Sequence, residues 1–152
     1  MKRNRWIFGF ILMMAMVSLG FEPGLATEKS GDLTIVVIGL ESSDGVVRIA
    51  ISNSKENYET KNAEPFRRKI VDIQKRRAKA RFRDLPSGEY AVKLIHDENS
   101  NGKMDTNFLG IPKEDYAFSN NARGTFGPPD YEKAKFDLNG NLAITIRVSE
   151  DN

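Results

Sequence analysis

The sequence predicts an all-β protein: a single antiparallel β-sandwich of about seven strands, immunoglobulin-like or transthyretin-like, with one long ordered loop region. Three observations predict this class. Short stretches rich in β-branched residues recur along the chain, turn-forming Gly, Pro, Asn and Asp residues separate them, and no long stretch has the apolar spacing of a helix. The pattern does not choose between the two topologies.

The N-terminus has the features of an export signal. Three basic residues precede the apolar run 6–19, and Ala26 stands where a signal peptidase would cleave. We therefore expect residues 1–26 to be a signal peptide and residues 27–152 to be a single β-sandwich domain, periplasmic or secreted from a bacterium. The apolar run is shorter than the roughly 20 residues that cross a bilayer, which argues against a retained membrane anchor. Cleavage would remove the run, so no stable membrane span is expected in the mature protein.

The composition narrows the classes of partner and ligand. The chain has a formal charge of +2, one His and no Cys. Removal of the predicted signal peptide takes away three basic residues and one acid, which leaves a charge of about zero and predicts no nucleic-acid partner. Without Cys, disulfides are excluded, and with one His a structural zinc site is nearly excluded.

The first three strands are predicted from β-branched stretches. Residues 33–40 and 46–52 form the first two, and the turn 43–45 between them predicts an N-terminal hairpin. Residues 53–68 are polar and predict a long connection with room for one helical turn. Residues 69–74 are the third predicted strand.

The fourth predicted strand, residues 77–85, alternates between basic residues and small or aromatic ones. This alternation predicts a half-buried strand with a basic outer face. One interpretation is a solvated face whose like charges discourage edge pairing. The other is a surface for an anionic partner, such as lipopolysaccharide or an acidic glycan. The basic face consists of Arg77, Lys79, Arg81 and Arg83.

The fifth predicted strand, residues 90–96, leads into a long region that ends near Tyr131. Its apolar residues predict an ordered region that packs against the sandwich rather than a disordered loop. Residues 134–138 and 142–148, on either side of an Asn-Gly-Asn turn, predict a final hairpin. The apolar residues of the long region are Phe108, Leu109, Ile111, Tyr116, Phe118 and Phe126.

An oxygen-rich stretch begins where the fifth strand ends. Residues 97–105 read D-x-N-x-N-G-x-x-D, which matches most of a calcium-binding loop, with Gly102 at the sixth position. Phe108 stands at the twelfth position, where a complete loop has a bidentate glutamate. The predicted ligands of one weakly bound, structural Ca²⁺ are Asp97, Asn99, Asn101, the carbonyl of Lys103, and Asp105.

The same stretch also predicts a metal-free turn. Asn and Asp side chains bond to nearby backbone groups, and Asn-Gly is a strong hairpin signal. The residues alone leave both explanations open. Glu114 or Asp115 would complete a calcium shell only if the chain folds back at Pro112.

The motifs along residues 85–129 resemble a family of exported bacterial proteins known as domain of unknown function 2141. The resemblance rests on segments 85–92, 96–105, 109–114, 116–124 and 126–129. It implies an exported β-sandwich domain and no established activity. Its signature block also implies a candidate binding site, which comprises His96, Glu114, Ser119, Asn120, Asn121 and Arg123.

Two functional classes follow from these residues. The first is a non-enzymatic cell-envelope module that binds an unknown envelope ligand or protein, or has a structural role. The second is a small hydrolase in which His96 acts with Ser119 and either Asp97 or Glu114. We favour the first, because a single histidine at a strand end is more often a packing residue than a catalyst.

Overall fold

The computed structural model describes residues 29–148, so the predicted signal peptide lies outside the described residues. The all-β class is confirmed: the described residues form eight strands in two sheets. The expected number of about seven was too low because a short strand, β6, lies inside the predicted loop region. The strands are β1 (Ser30–Ile38), β2 (Val46–Ser52), β3 (Arg67–Asp72), β4 (Ala78–Pro86), β5 (Gly88–Asp97), β6 (Tyr116–Phe118), β7 (Phe136–Leu138) and β8 (Leu142–Arg147).

Short helices occupy the connections. The structure has α1 (Lys55–Glu59), α2 (Tyr131–Ala134) and a 3₁₀ helix (Ser119–Asn121). Helix α1 supplies the helical turn expected in the polar connection, and Ser54 caps it by accepting a hydrogen bond from the N–H of Asn57. In residues 29–148 no helix has the length and apolar character needed to cross a membrane.

The strand order differs from the two predicted hairpins. One sheet has the order β4-β1-β8, and the other has the order β3-β2-β5-β6, with β7 also pairing with β5. Strand β1 is parallel to β8, whereas the other pairs are antiparallel. Neither β1 with β2 nor β7 with β8 forms a pair, so both predicted hairpins were wrong.

The two sheets share one apolar core. Alternate residues of β1 are buried, as expected for a strand with one face in the core. Leu33, Ile35 and Val37 pack in the same cluster as Ile49 and Val92 of the other sheet.

A second cluster packs separately from the main core. Tyr58 of α1, Ala91 of β5, Phe118 of β6, and Tyr131 and Ala134 of α2 form it. The rings of Tyr58 and Tyr131 meet edge to face with their centroids 5.7 Å apart. This packing joins α1, β6 and α2 to β5, which is the strand that leads into the oxygen-rich loop.

In the long region after β5, hydrogen bonds between Asn107 and backbone N–H groups take the place of most of the apolar packing that we expected. The side-chain oxygen of Asn107 accepts hydrogen bonds from the N–H groups of Leu109 and Ile111, at 2.9 and 3.1 Å, and closes a tight turn. Phe108 is 95% exposed and Phe126 is fully exposed. Leu109, Ile111 and Tyr116 are also exposed, whereas Phe118 is buried.

Candidate functional site

Asp97, the last residue of β5, binds the backbone of the oxygen-rich loop through its side chain. Its side chain is fully buried. One carboxylate oxygen accepts a hydrogen bond from the N–H of Asn101 at 3.0 Å, and the other accepts one from the N–H of Gly102 at 2.9 Å. A guanidinium nitrogen of Arg48 on β2 lies 3.5 Å from the second oxygen and balances its charge. Asp97 therefore holds the turn and its own charge is compensated.

Three of the predicted calcium ligands converge at the rim of the loop. The side-chain amides of Asn99 and Asn101 donate to the two carboxylate oxygens of Asp105, at 2.6 and 3.0 Å. These two hydrogen bonds, that of Asn101 first, lower the pKa of Asp105 from its usual value. The amide oxygens face the backbone instead: those of Asn99 and Asn101 accept from the N–H groups of Asn101 and Lys103.

This arrangement suits either explanation of the loop. The bonds from the amide oxygens of Asn99 and Asn101 to backbone N–H groups two residues further on are those that an Asn-rich turn makes without metal. A cation at the same point would meet the carboxylate of Asp105, and the two amides would have to turn their oxygens inward. Within residues 29–148 no three His, Asp or Glu side chains are grouped to hold a metal ion, so a cation here would depend on amide and carbonyl oxygens as well.

Glu114 joins the oxygen-rich loop to the chain that follows it. The chain reverses after Asp105, because the N–H of Lys113 donates to the carbonyl of Asp105 at 2.8 Å. The Glu114 carboxylate then accepts hydrogen bonds from the N–H groups of Glu98, at 3.2 Å, and Asp105, at 2.9 Å. It is 7% exposed. The chain therefore folds back near Pro112, which is the condition for Glu114 to reach the loop, but Glu114 contacts the loop's backbone.

An open groove of about 480 Å³ lies beside this carboxylate. It runs between the β6 segment and the loop that follows the 3₁₀ helix. Three of the six candidate binding residues line it: Glu114, Asn121 and Arg123. Arg147 of β8 lines the same groove. The groove therefore presents charges of both signs.

His96 does not line the groove and faces the turn between β1 and β2. Its ring is fully buried, and Nε2 lies 2.9 Å from the carbonyl oxygen of Asp44. Nδ1 is also buried and lacks a hydrogen-bond partner among the described residues; a carboxylate oxygen of Glu98 lies 3.7 Å away. Gly45 lets the turn approach this closely, since a Cβ there would lie 2.0 Å from the carbonyl oxygen of Asp97.

Ser119 and its neighbours connect segments of the chain. The buried hydroxyl of Ser119 donates to the carbonyl of Ala134 and accepts from the N–H of Val92. The amide of Asn120, a residue at φ 59°, donates to two carbonyls of the α2 segment. The side chain of Asn121 accepts from the N–H of Arg147. His96 and Ser119 are thus directed to different partners, and neither contact is that of an activated nucleophile.

Two contributions were not visible in the sequence. Arg48 appeared only as a polar residue of a predicted strand, and its contact with Asp97 depends on the register in which Val46 of β2 pairs with Asp97. Asn107 carried no signal beyond its turn propensity.

Together, the fold and the site define a small all-β domain in which an Asp- and Asn-rich loop borders an open polar groove. The chain belongs to the family described as an uncharacterized protein conserved in bacteria (DUF2141), whose model matches residues 35–145. The match includes the oxygen-rich loop and every lining residue of the groove except Arg147 and Val148. No curated protein and no solved structure matches the chain.

Proposed function

We propose that this protein is an exported, non-enzymatic module of the bacterial cell envelope, periplasmic or secreted. It holds an envelope ligand or a protein partner in the groove beside Glu114. The basic and apolar N-terminus supports the export part of this proposal. The shared core of the two sheets supports a β-sandwich, immunoglobulin-like or transthyretin-like, as the scaffold.

In this proposal the oxygen-rich loop binds one calcium ion. Asp97, Asn99, Asn101, the carbonyl of Lys103, and Asp105 are the ligands. The convergence of the two amides on Asp105 supports it, because a cation can replace the amide hydrogens at that point. With only two carboxylates and no bidentate glutamate, we expect a dissociation constant of about 10⁻⁴ to 10⁻³ M, as in extracellular modules.

The observation that carries the proposal is the position of the Glu114 carboxylate. It bonds to the N–H of Asp105 and also lines the groove. A cation that fixes Asp105 would therefore fix one wall of the groove. Calcium has a structural role here, and the groove residues Asn121 and Arg123 contact the ligand.

A melting experiment tests the calcium part. At a calcium concentration about ten times the dissociation constant, binding should stabilise the fold by about 1.4 kcal/mol relative to EDTA, which is a few degrees in Tm. Asp105→Asn should remove this shift. Asp137→Asn, an exposed acid on β7 with the same change of charge, should keep it. Equal melting curves of the wild type in calcium and in EDTA would contradict the proposed site.

A second experiment tests export. Mass spectrometry of the protein from its native cell should find Thr27 at the N-terminus. Recovery of the intact chain from a soluble cytoplasmic fraction would contradict export.

A further inference from the structure

The β3–β4 segment concentrates the positive charge of the protein. Residues 67–83 contain nine Lys and Arg and one Asp. The other residues of the predicted mature chain contain eleven Lys and Arg and nineteen Asp and Glu. The near-zero total charge therefore conceals a basic segment on an otherwise acidic domain. Such a segment attracts anions through its local field.

This basic segment borders a groove. Strand β3 is at the edge of one sheet and β4 is at the edge of the other, so the two consecutive strands separate instead of pairing. A groove of about 360 Å³ lies between them. The buried residues Phe82 and Leu85 form its base, and among the described residues no acid lines it. The lining cations are Arg67, Lys69, Arg81 and Arg83.

Three of these cations are held in place, two of them by uncharged groups. Arg67 donates to the carbonyl of Phe66 at 3.1 Å, and its guanidinium lies 4.5 Å from the centre of that ring. The ammonium of Lys69 donates to the carbonyl of Arg81 at 2.6 Å. Arg81 itself is paired with Asp32, with nitrogens 2.6 and 2.8 Å from one carboxylate oxygen. The groove is thus preorganised, and within residues 29–148 only one of its four charges, that of Arg81, is compensated by a direct ion pair.

We propose that this groove binds a headgroup that carries two phosphate groups on a sugar-sized frame. A phosphate monoester has a charge of about −1.5 to −2 at pH 7. Two such groups therefore match the charge of the three groove cations that remain when Arg81, which is paired with Asp32, is left out. Three of the four cations are arginines, whose planar guanidinium can make paired hydrogen bonds to phosphate. The volume is that of a small-ligand site rather than of a long polymer channel.

The site is separate from the oxygen-rich loop and needs no calcium. This inference depends on the proposed export in one respect, which is where in the cell the ligand comes from. That source is either a free sugar bisphosphate or the headgroup of a bisphosphorylated glycolipid. The two sources share one chemistry and can be separated by experiment.

The test uses protein expressed as the full chain and purified after processing by the cell. Calorimetry at low salt measures the binding of glucose 1,6-bisphosphate, with glucose as the uncharged reference. A sedimentation assay measures binding to phosphatidylcholine vesicles that carry lipid A, a bisphosphorylated disaccharide lipid. Polyglutamate is the probe for acidic polypeptides. All measurements are repeated in EDTA, so a failure of the calcium proposal leaves this result unaffected.

Two double variants separate the groove from the general field. Lys69→Gln with Arg83→Gln removes two groove charges and should weaken phosphate binding by about tenfold or more. Arg77→Gln with Lys79→Gln removes two charges of the same segment that do not line the groove, and should change the affinity by less than about threefold. Circular dichroism confirms that each variant is folded.

Each outcome decides the proposal. Binding of the sugar bisphosphate supports the proposal if the groove variant loses this binding and the matched variant keeps it. Binding of lipid A vesicles without binding of the sugar bisphosphate supports it on the same condition, and assigns the headgroup to a lipid. Equally weakened phosphate binding in both double variants would overturn the proposal, because binding would then depend on the total charge of the segment and not on the groove. Binding of neither phosphate probe, or equally tight binding of polyglutamate, overturns the proposal.

Discussion

Replacement of Glu114 by Gln tests the link between the oxygen-rich loop and the groove. The carboxylate accepts two backbone hydrogen bonds, from Glu98 and Asp105, and is almost completely buried. Gln keeps the shape but has one oxygen, so one N–H would face an amide NH₂ group. A hydrogen bond to a charged acceptor contributes about 1.5–3 kcal/mol. We expect the free energy of unfolding to fall by about 2 kcal/mol, or about 8 °C in Tm.

Urea unfolding followed by circular dichroism measures this loss. Amide hydrogen exchange adds a local readout, since the protected N–H groups of Glu98 and Asp105 should exchange faster in Glu114→Gln. Glu98→Gln is the matched control, because it removes the same charge from an exposed side chain of the same loop and should cost less than about 0.5 kcal/mol. A loss of stability as small in Glu114→Gln as in this control would refute the structural role of the buried carboxylate.

Three further changes have expected outcomes. Gly102→Ala should cost about 1 kcal/mol in urea unfolding, because φ is +90° but the added Cβ would make only an ordinary contact, 3.8 Å from the Arg48 guanidinium. Gly45→Ala should cost several times more, because its Cβ would lie 2.0 Å from the carbonyl oxygen of Asp97, and equal losses would contradict the packing of that turn. The pKa of Asp115 is raised mainly by burial and also by two nearby glutamates, so ionisation of this carboxyl destabilises the fold. Asp115→Asn should therefore be more stable than the wild type at pH 7. The gain in stability should vanish below about pH 4, where the carboxyl is protonated in both the folded and the unfolded state. Ser119→Ala leaves a buried N–H of β5 unpaired and should lower stability by about 2 kcal/mol, and a neutral result in thermal melting would argue against that contact.

The sequence predicted single strands better than their pairing. Residues 46–52 were predicted as a strand and form β2 with the same limits, because β-branched residues occupy the alternate, buried positions there. The N-terminal hairpin was wrong because the turn at Gly45 packs against the end of β5 and sends β2 into the other sheet. The residues in such a contact are about 50 positions apart in the sequence, so the local strand propensity of either segment does not predict the contact.

The candidate site was predicted in part for the same reason. The spacing of Asp97, Asn99, Asn101 and Asp105 predicted a common loop. The last three converge at its rim, whereas the Asp97 carboxylate accepts hydrogen bonds from the loop's backbone. The role of Glu114 depends on the reversal of the chain after Asp105, which a sequence of turn-forming residues allows but does not specify. The basic residues of β3 and β4 were visible, but the groove between them exists only because the two strands join different sheets.

The most direct test of the central claim is a calcium titration of the ¹⁵N-labelled protein followed by NMR. If Asp105 exchanges its amide donors for a cation, the side-chain NH₂ signals of Asn99 and Asn101 should shift together with the backbone N–H of Gly102, with one dissociation constant of about 10⁻⁴ to 10⁻³ M. The signals of Asn139 and Asn141, in the turn before β8, should stay in place. Unchanged positions of the Asn99 and Asn101 signals at several millimolar calcium would contradict the calcium site and leave a metal-free turn.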